Sequence, residues 1–161
     1  MIQLIPMTQV EFDKFLSVEI EEYAQEHVKA GNWHPDEAIQ LSKAEHAKLL
    51  PNGLASPNQY LYSIQATDSG SNIGMIWFAE QQQGPNHYAF IYDFRIDEAQ
   101  RGKGYGQDAL SAIEEKVKAL GLDTISLHVF GHNQMARSLY EKVGYEITNV
   151  NMSKKLTHDI A

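Results

Sequence analysis

Apolar residues near the start of the chain recur at helical spacing, with Phe12, Phe15, Leu16, Ile20 and Tyr23 on one stripe. Thr8 precedes them as an N-cap, and Glu11 stands where it closes a capping box. A first helix is expected from about residue 9 to residue 29, ended by Gly31. Asn32-Trp33-His34-Pro35 forms a connector, and a second helix is expected over Asp36–Leu50, stopped by Pro51-Asn52-Gly53. Beyond Pro57 the pattern changes to strands: Gln59–Thr67, Ile73–Glu80 and His87–Asp97, parted by the polar stretches Asp68–Asn72 and Gln81–Asn86. A helix over Gln107–Leu120 follows, closed by Gly121, then a strand at Ser126–Phe130. A short helix, Asn133–Val143, is closed by Gly144, and Tyr145–Leu156 reads as a terminal strand or strand pair.

Short polar turns join the first strands and favour antiparallel pairing. The helix after residue 106 implies a crossover to a parallel neighbour. The expected fold is therefore α/β of the α+β kind, a mixed, mostly antiparallel central sheet flanked by helices. With 161 residues, no linker and no internal repeat, residues 1–161 read as a single domain.

Composition narrows the chemistry. Hydrophobic residues make up 43% of the chain, enough for a packed core. Cysteine is absent, which excludes disulfides, cysteine-zinc sites and cysteine nucleophiles. His27 and His34 lie seven apart and match no zinc pattern, so no metal is expected. No apolar run is long enough to cross a bilayer, and Met1–Val10 does not read as a signal peptide. A soluble, cytoplasmic protein with no membrane partner is expected. The formal net charge of −8 and the scattered Lys and Arg argue against nucleic acid. The acidity suits a cationic partner such as an amine, and equally suits plain solubility.

Residues 101–106 read Arg-Gly-Lys-Gly-Tyr-Gly, between an apolar strand and a helix. Such a turn offers bare N–H groups at the positive end of a helix, where phosphate oxygens bind well. A P-loop needs four residues between its glycine and a Gly-Lys-Ser/Thr, which this order lacks. Glycines at 102, 104 and 106 also miss the dinucleotide fingerprint. Taken alone, the cluster could be a sharp turn where only glycine fits.

The surroundings decide the matter. Arg101-x-x-Gly104-x-Gly106, after Ile91–Ile96 and the acidic Asp97-Glu98, resembles the acetyl-CoA signature of the GCN5-related N-acetyltransferase superfamily. Leu127-His128-Val129-Phe130, then Asn133-x-x-Ala136-x-x-Leu139-Tyr140-x-x-x-Gly144-Tyr145, resembles that superfamily's second block. The two blocks cover roughly residues 87 to 147.

The resemblance implies a sheet whose strand pair splays to hold acetyl-CoA as co-substrate, with the diphosphate on Arg101, Gly102, Lys103, Gly104, Gly106 and Gln107. Arg101 and Lys103 either touch phosphate or point to solvent. Backbone groups of Phe94 and Ile96 would pair with pantetheine, and the Phe94 N–H would polarise the thioester carbonyl. Tyr140 matches the tyrosine that protonates the departing thiolate, and otherwise reads as a core residue beside Leu139 and Val143. Asn133 would contact pantetheine, cap its helix, or both. Asp93, Glu80 and His128 are open as the general base, with Asp93 nearest the splay. By strand parity Tyr88, Phe90, Tyr92, Phe94 and Ile96 share one face and Asp93 and Arg95 the other, unless a bulge intervenes.

The acceptor pocket implied for this family draws on the N-terminal helices, where Tyr23, His27, Trp33 and His34 gather with Glu19 and Glu22 nearby. Tyr23 and Trp33 are the expected acceptor contacts, Trp33 by cation–π attraction or as a staple between helices. The implied activity is acetyl transfer from acetyl-CoA to a small-molecule or peptide primary amine, by direct attack in a ternary complex. A non-catalytic acetyl-CoA or CoA-binding sensor is the alternative. Monomer and homodimer both stand open.

Overall fold

The computed structural model describes residues 1–157. Nine elements follow in order: β1 (Ile2–Pro6), α1 (Gln9–Lys29), α2 (Ala38–Leu49), β2 (Gln59–Ala66), β3 (Asn72–Gln83), β4 (Asn86–Ile96), α3 (Tyr105–Ala119), β5 (Ile125–Leu127) and α4 (Gln134–Lys142). The strands form one sheet in the order β1-β2-β3-β4-β5. The first four are antiparallel and β5 runs parallel to β4. This is the expected α+β architecture.

Each face of the sheet carries its own core. Leu4, Ile64, Ile76, Phe78 and Ile91 pack against Ala109, Leu110, Ile113 and Val117 of α3. Leu139, Tyr140 and Val143 of α4 border the same cluster. On the opposite face Leu61, Met75 and Trp77 meet Phe12 and Phe15 of α1. The capping box forms as the sequence predicts: the Thr8 N–H donates to Glu11 Oε1 at 2.8 Å, and the Glu11 N–H donates to Thr8 Oγ1 at 3.2 Å.

Besides shortening the strand expected at Ser126–Phe130 to Ile125–Leu127, the structure corrects the sequence reading in three places. β1 was not expected; Ile2–Pro6 pairs with Tyr62–Ala66, and its alternating Ile2 and Leu4 face the core. Five residues ending in proline make a weak strand signal, and pairing with a strand some sixty residues away supplies what local pattern does not. Tyr145–Leu156 forms no strand: the segment is irregular, and Ile147, Val150, Met152 and Leu156 are exposed. Its alternation breaks between Ile147 and Val150, so no single register would bury both halves. The third correction is the parity of β4. Trp77 pairs with Asp93 but Phe78 pairs with Ile91, so Tyr92 is an extra, bulged residue. Tyr92 and Asp93 therefore both face α1. Phe94 and Ile96 turn to the α3 face, opposite to Tyr92.

Candidate active site

β4 and β5 pair only over Ala89–Ile91 and Ile125–Leu127. β4 then continues to Ile96 with β3 as its one sheet neighbour, so the pair splays at the bulge. Gly74 on β3 seals the other side: a Cβ added there would lie 2.2 Å from the carbonyl oxygen of Arg95. Glycine is what lets β3 hold the far end of β4 in place.

The glycine turn follows directly. Gly102 (φ +79°) and Gly104 (φ +86°) adopt the left-handed conformation that glycine takes without strain. Gly104 caps α3, whose first intrahelical bond runs from the Asp108 N–H to the Gly104 carbonyl. The N–H groups of residues 105–107 therefore have no partner within the helix and point out of its positive end. Gly106 serves packing: its missing Cβ makes room for Leu139 Cδ2, 3.1 Å from where that Cβ would stand, with the Phe94 ring 3.8 Å away. Arg101 folds back so that Nε donates to the Ile96 carbonyl at 2.8 Å, tying the turn to the end of β4. Lys103 reaches the side chain of Gln100 and is otherwise exposed. Gln107 lies in the first turn of α3.

α4 brings in the two residues expected from the second motif. Asn133 caps it, its Oδ1 accepting from the Ala136 N–H at 3.3 Å. Tyr140 lies with its ring centroid 6.4 Å from that of Phe94. Burial, then the negative charge of Asp93, raises the Tyr140 hydroxyl far above its ordinary value and keeps it protonated. Phe94, Gly106, Leu139 and Tyr140 thus converge where the strands part.

The opposite face of the bulge is built from charge. Asp93 Oδ1 accepts from the Phe94 N–H at 2.9 Å. Its Oδ2 accepts from Arg95 Nη2 at 2.8 Å, and the same nitrogen donates to Glu19 Oε2 at 2.6 Å. Arg95 also holds Glu22. Behind Glu19 on α2, His46 Nε2 lies 3.6 Å from Glu19 Oε1. Burial, reinforced by Asp93 and opposed by Arg95, pushes the Glu19 carboxyl well above the carboxylate range. The signal that could have found this group is a carboxylate in the core stripe of α1: Phe12, Phe15 and Glu19 are buried together.

The two expected acceptor contacts come together on the same side. Tyr23 and Trp33 have centroids 5.8 Å apart, and Trp33 stacks on His27 at 4.0 Å. Trp33 thus folds back on α1, while Tyr23 reaches His46 of α2 at 5.2 Å. The segment after β5 closes the cluster, since Phe130 meets His27 at 5.3 Å and His132 pairs with Glu26 at 2.6 Å. His34 stays apart, exposed and bonded to the Asp36 N–H. Of the other two base candidates, Glu80 pairs with His87 at 3.1 Å across the β3–β4 hairpin, and His128 is exposed beside Phe130. Among the described residues no group of three or more His, Asp or Glu is placed to hold a metal ion, and no helix is long and apolar enough to cross a membrane.

This geometry has counterparts among known proteins. The chain is 44% identical over 155 residues to the uncharacterized N-acetyltransferase YycN of Bacillus subtilis strain 168, covering 96% of this chain and 99% of that one. It is 38% identical to the uncharacterized N-acetyltransferase YdgE of the same organism, covering 93% and 95%. The crystal structure of Bacillus subtilis YycN superposes with a TM-score of 0.91 at 43% identity, over 98% of this chain and all of that one. The family model described as Acetyltransferase (GNAT) family matches residues 19–145. From α1 through the end of α4, then, the chain belongs to the acetyltransferase (GNAT) family, the acyl-CoA-dependent N-acetyltransferases.

Proposed function

We propose that this protein transfers the acetyl group of acetyl-CoA to a cationic primary amine, by direct attack of the amine in a ternary complex. One observation carries the reading: the bulge at Tyr92 splits β4 so that Phe94 and Ile96 serve one face while Asp93 and Arg95 serve the other. Donor and acceptor would approach the same backbone segment from opposite sides and meet at residues 93–94.

On the donor side, the left-handed turn at Gly102 and Gly104 and the end of α3 fit a diphosphate, which backbone dipoles would hold without a metal. Gln107 belongs to the same cradle. Arg101 serves mainly to position the turn, because its Nε is committed to Ile96; Lys103 adds charge from the surface. Asn133 orients α4 and borders the pantetheine path. When bound, acetyl-CoA supplies the electrophilic thioester; all else falls to the protein.

On the acceptor side, Tyr23 and Trp33 would offer aromatic rings and Glu22 a carboxylate to an ammonium group. Asp93 accepts the proton that the ammonium must lose before it can attack. As Asp93 turns to the amine it releases the Phe94 N–H, which then donates to the thioester carbonyl oxygen as charge develops. Tyr140, held protonated by its surroundings, gives its proton to the departing thiolate and regains one from the attacking nitrogen, which loses its second proton as the amide forms.

Two variants test these roles. Tyr140→Phe should lower kcat by about 10- to 100-fold while leaving acetyl-CoA affinity within about twofold. Asp93→Asn should lower kcat by about 100-fold or more at neutral pH. Wild-type turnover in both variants would remove the acid and base assignments together.

A further inference from the structure

Arg95 meets more carboxylates than one cation can neutralise. Nη2 alone takes an oxygen from Glu19 and one from Asp93, while Nη1 takes Glu22. The Glu22 side chain is 56% exposed and stays hydrated; Glu19 and Asp93 are 6% and 21% exposed. Two shielded carboxyl groups converging on one nitrogen do not both ionise cheaply.

His46 borders Glu19 on the side away from Arg95. Its Nδ1 lies 2.8 Å from the Ser42 carbonyl, which can only accept, so Nδ1 carries the ring hydrogen. In the neutral imidazole, Nε2 would turn a lone pair toward Glu19 Oε1, 3.6 Å away. Such a lone pair would suit a carboxylic acid better than a carboxylate. His46 is itself fixed, because the hydroxyl of Ser42, one turn back on α2, donates to the Ile20 carbonyl at 2.7 Å.

We propose that Glu19 is a positioning residue for acetyl transfer, standing as a neutral acid between His46 and Asp93 so that Asp93 is the carboxylate left to accept the amine proton. The inference rests on the assignment of Asp93 as the base. The ammonium gives one proton to Asp93, Asp93 later returns it to solvent, and Glu19 keeps its own throughout. The groups facing Glu19 are Glu22 and Tyr23 on α1, His46 on α2, and Asp93 and Arg95 on β4. Burial and the charge of Asp93 favour the neutral form and outweigh Arg95.

Carbon-13 NMR of protein labelled at the glutamate side-chain carboxyl carbon tests this without reference to turnover, with Glu19→Gln assigning the resonance. The Glu19 signal should lie at the chemical shift of a protonated acid at neutral pH; a carboxylate shift there overturns the proposal. Kinetics give a second readout. Glu19→Gln, which mimics the neutral acid, should lower kcat by no more than about threefold, whereas Glu19→Leu should lower it by about tenfold or more, with the KM for acetyl-CoA unmoved in both. Equal losses in the two variants would mean that an ionised Glu19–Arg95 pair is what matters, and the proposal fails. Stability provides a third. Folded Glu19 holds its proton above the unfolded value of about 4.3, so its contribution to stability is lost as pH rises through that value and beyond. Glu19→Gln should therefore gain in melting temperature relative to wild type as pH rises; a relative loss contradicts the neutral acid. Asp93→Asn run in parallel separates the two readings. Wild-type kcat in that variant removes the base assignment even where NMR finds Glu19 protonated.

Discussion

The two faces of β4 at the bulge are built from different materials. The proposed donor face is backbone: two left-handed glycines, the open end of α3 and a strand edge left unpaired where β5 stops. The proposed acceptor face is side chains: Arg95 among three carboxylates, His46 behind them, and a ring cluster of Tyr23, His27, Trp33 and Phe130. Backbone recognition suits a diphosphate carried by every reaction cycle. Side-chain recognition is where an enzyme of this architecture can differ from its relatives without disturbing the donor.

The largest effect expected is on the acceptor face. Arg95→Met strands the Asp93 carboxylate without its cation and removes the donor to Glu19 Oε2, and should lower stability by about 3–5 kcal/mol, read by denaturant unfolding. Next comes the donor face. Gly104→Asp forces a side chain onto a left-handed residue and sets a negative charge at the helix end, so acetyl-CoA affinity should fall by about 100-fold or more. Calorimetry on the folded variant checks it, and unchanged affinity would break the contrast between the faces. The smallest effect concerns His27, which burial holds below its ordinary value, with His128 adding and Glu45 and Glu26 opposing. The unfolded chain then takes up a proton first as pH falls through about 6.5, so folding loses stability in that window. His27→Phe should remove that acid-side loss, under about 1 kcal/mol once solvent screening is allowed for, and so flatten the fall of melting temperature below about pH 6.5.

The contrast also explains what could be read from the sequence. The donor face is local: its strand end, glycine turn and helix run together from Phe94 to Gln107, and each constraint leaves a mark at fixed spacing. The capping box at Thr8 was legible for the same reason. The acceptor face is assembled over long separations, 76 residues for Arg95 with Glu19 and 106 for His132 with Glu26. No window of sequence contains such a pair. The bulge is intermediate. Sequence could allow for it, but only the register with Trp77 and Phe78 fixes it at Tyr92 and thereby moves Asp93 onto the same face as Tyr92. β1 went unread because five residues acquire strand identity only by pairing with β2.

The central claim is that these two faces bring a thioester and an amine together at residues 93–94 for direct transfer. Initial rates of thiol release from acetyl-CoA, measured against a panel of primary amines that includes polyamines, lysine and peptide N-termini, test it most directly. The account predicts amine-dependent release with intersecting double-reciprocal lines, strongest for amines carrying a second positive charge. Thiol release that no amine accelerates, or parallel lines that mark an acetyl-enzyme, would contradict it.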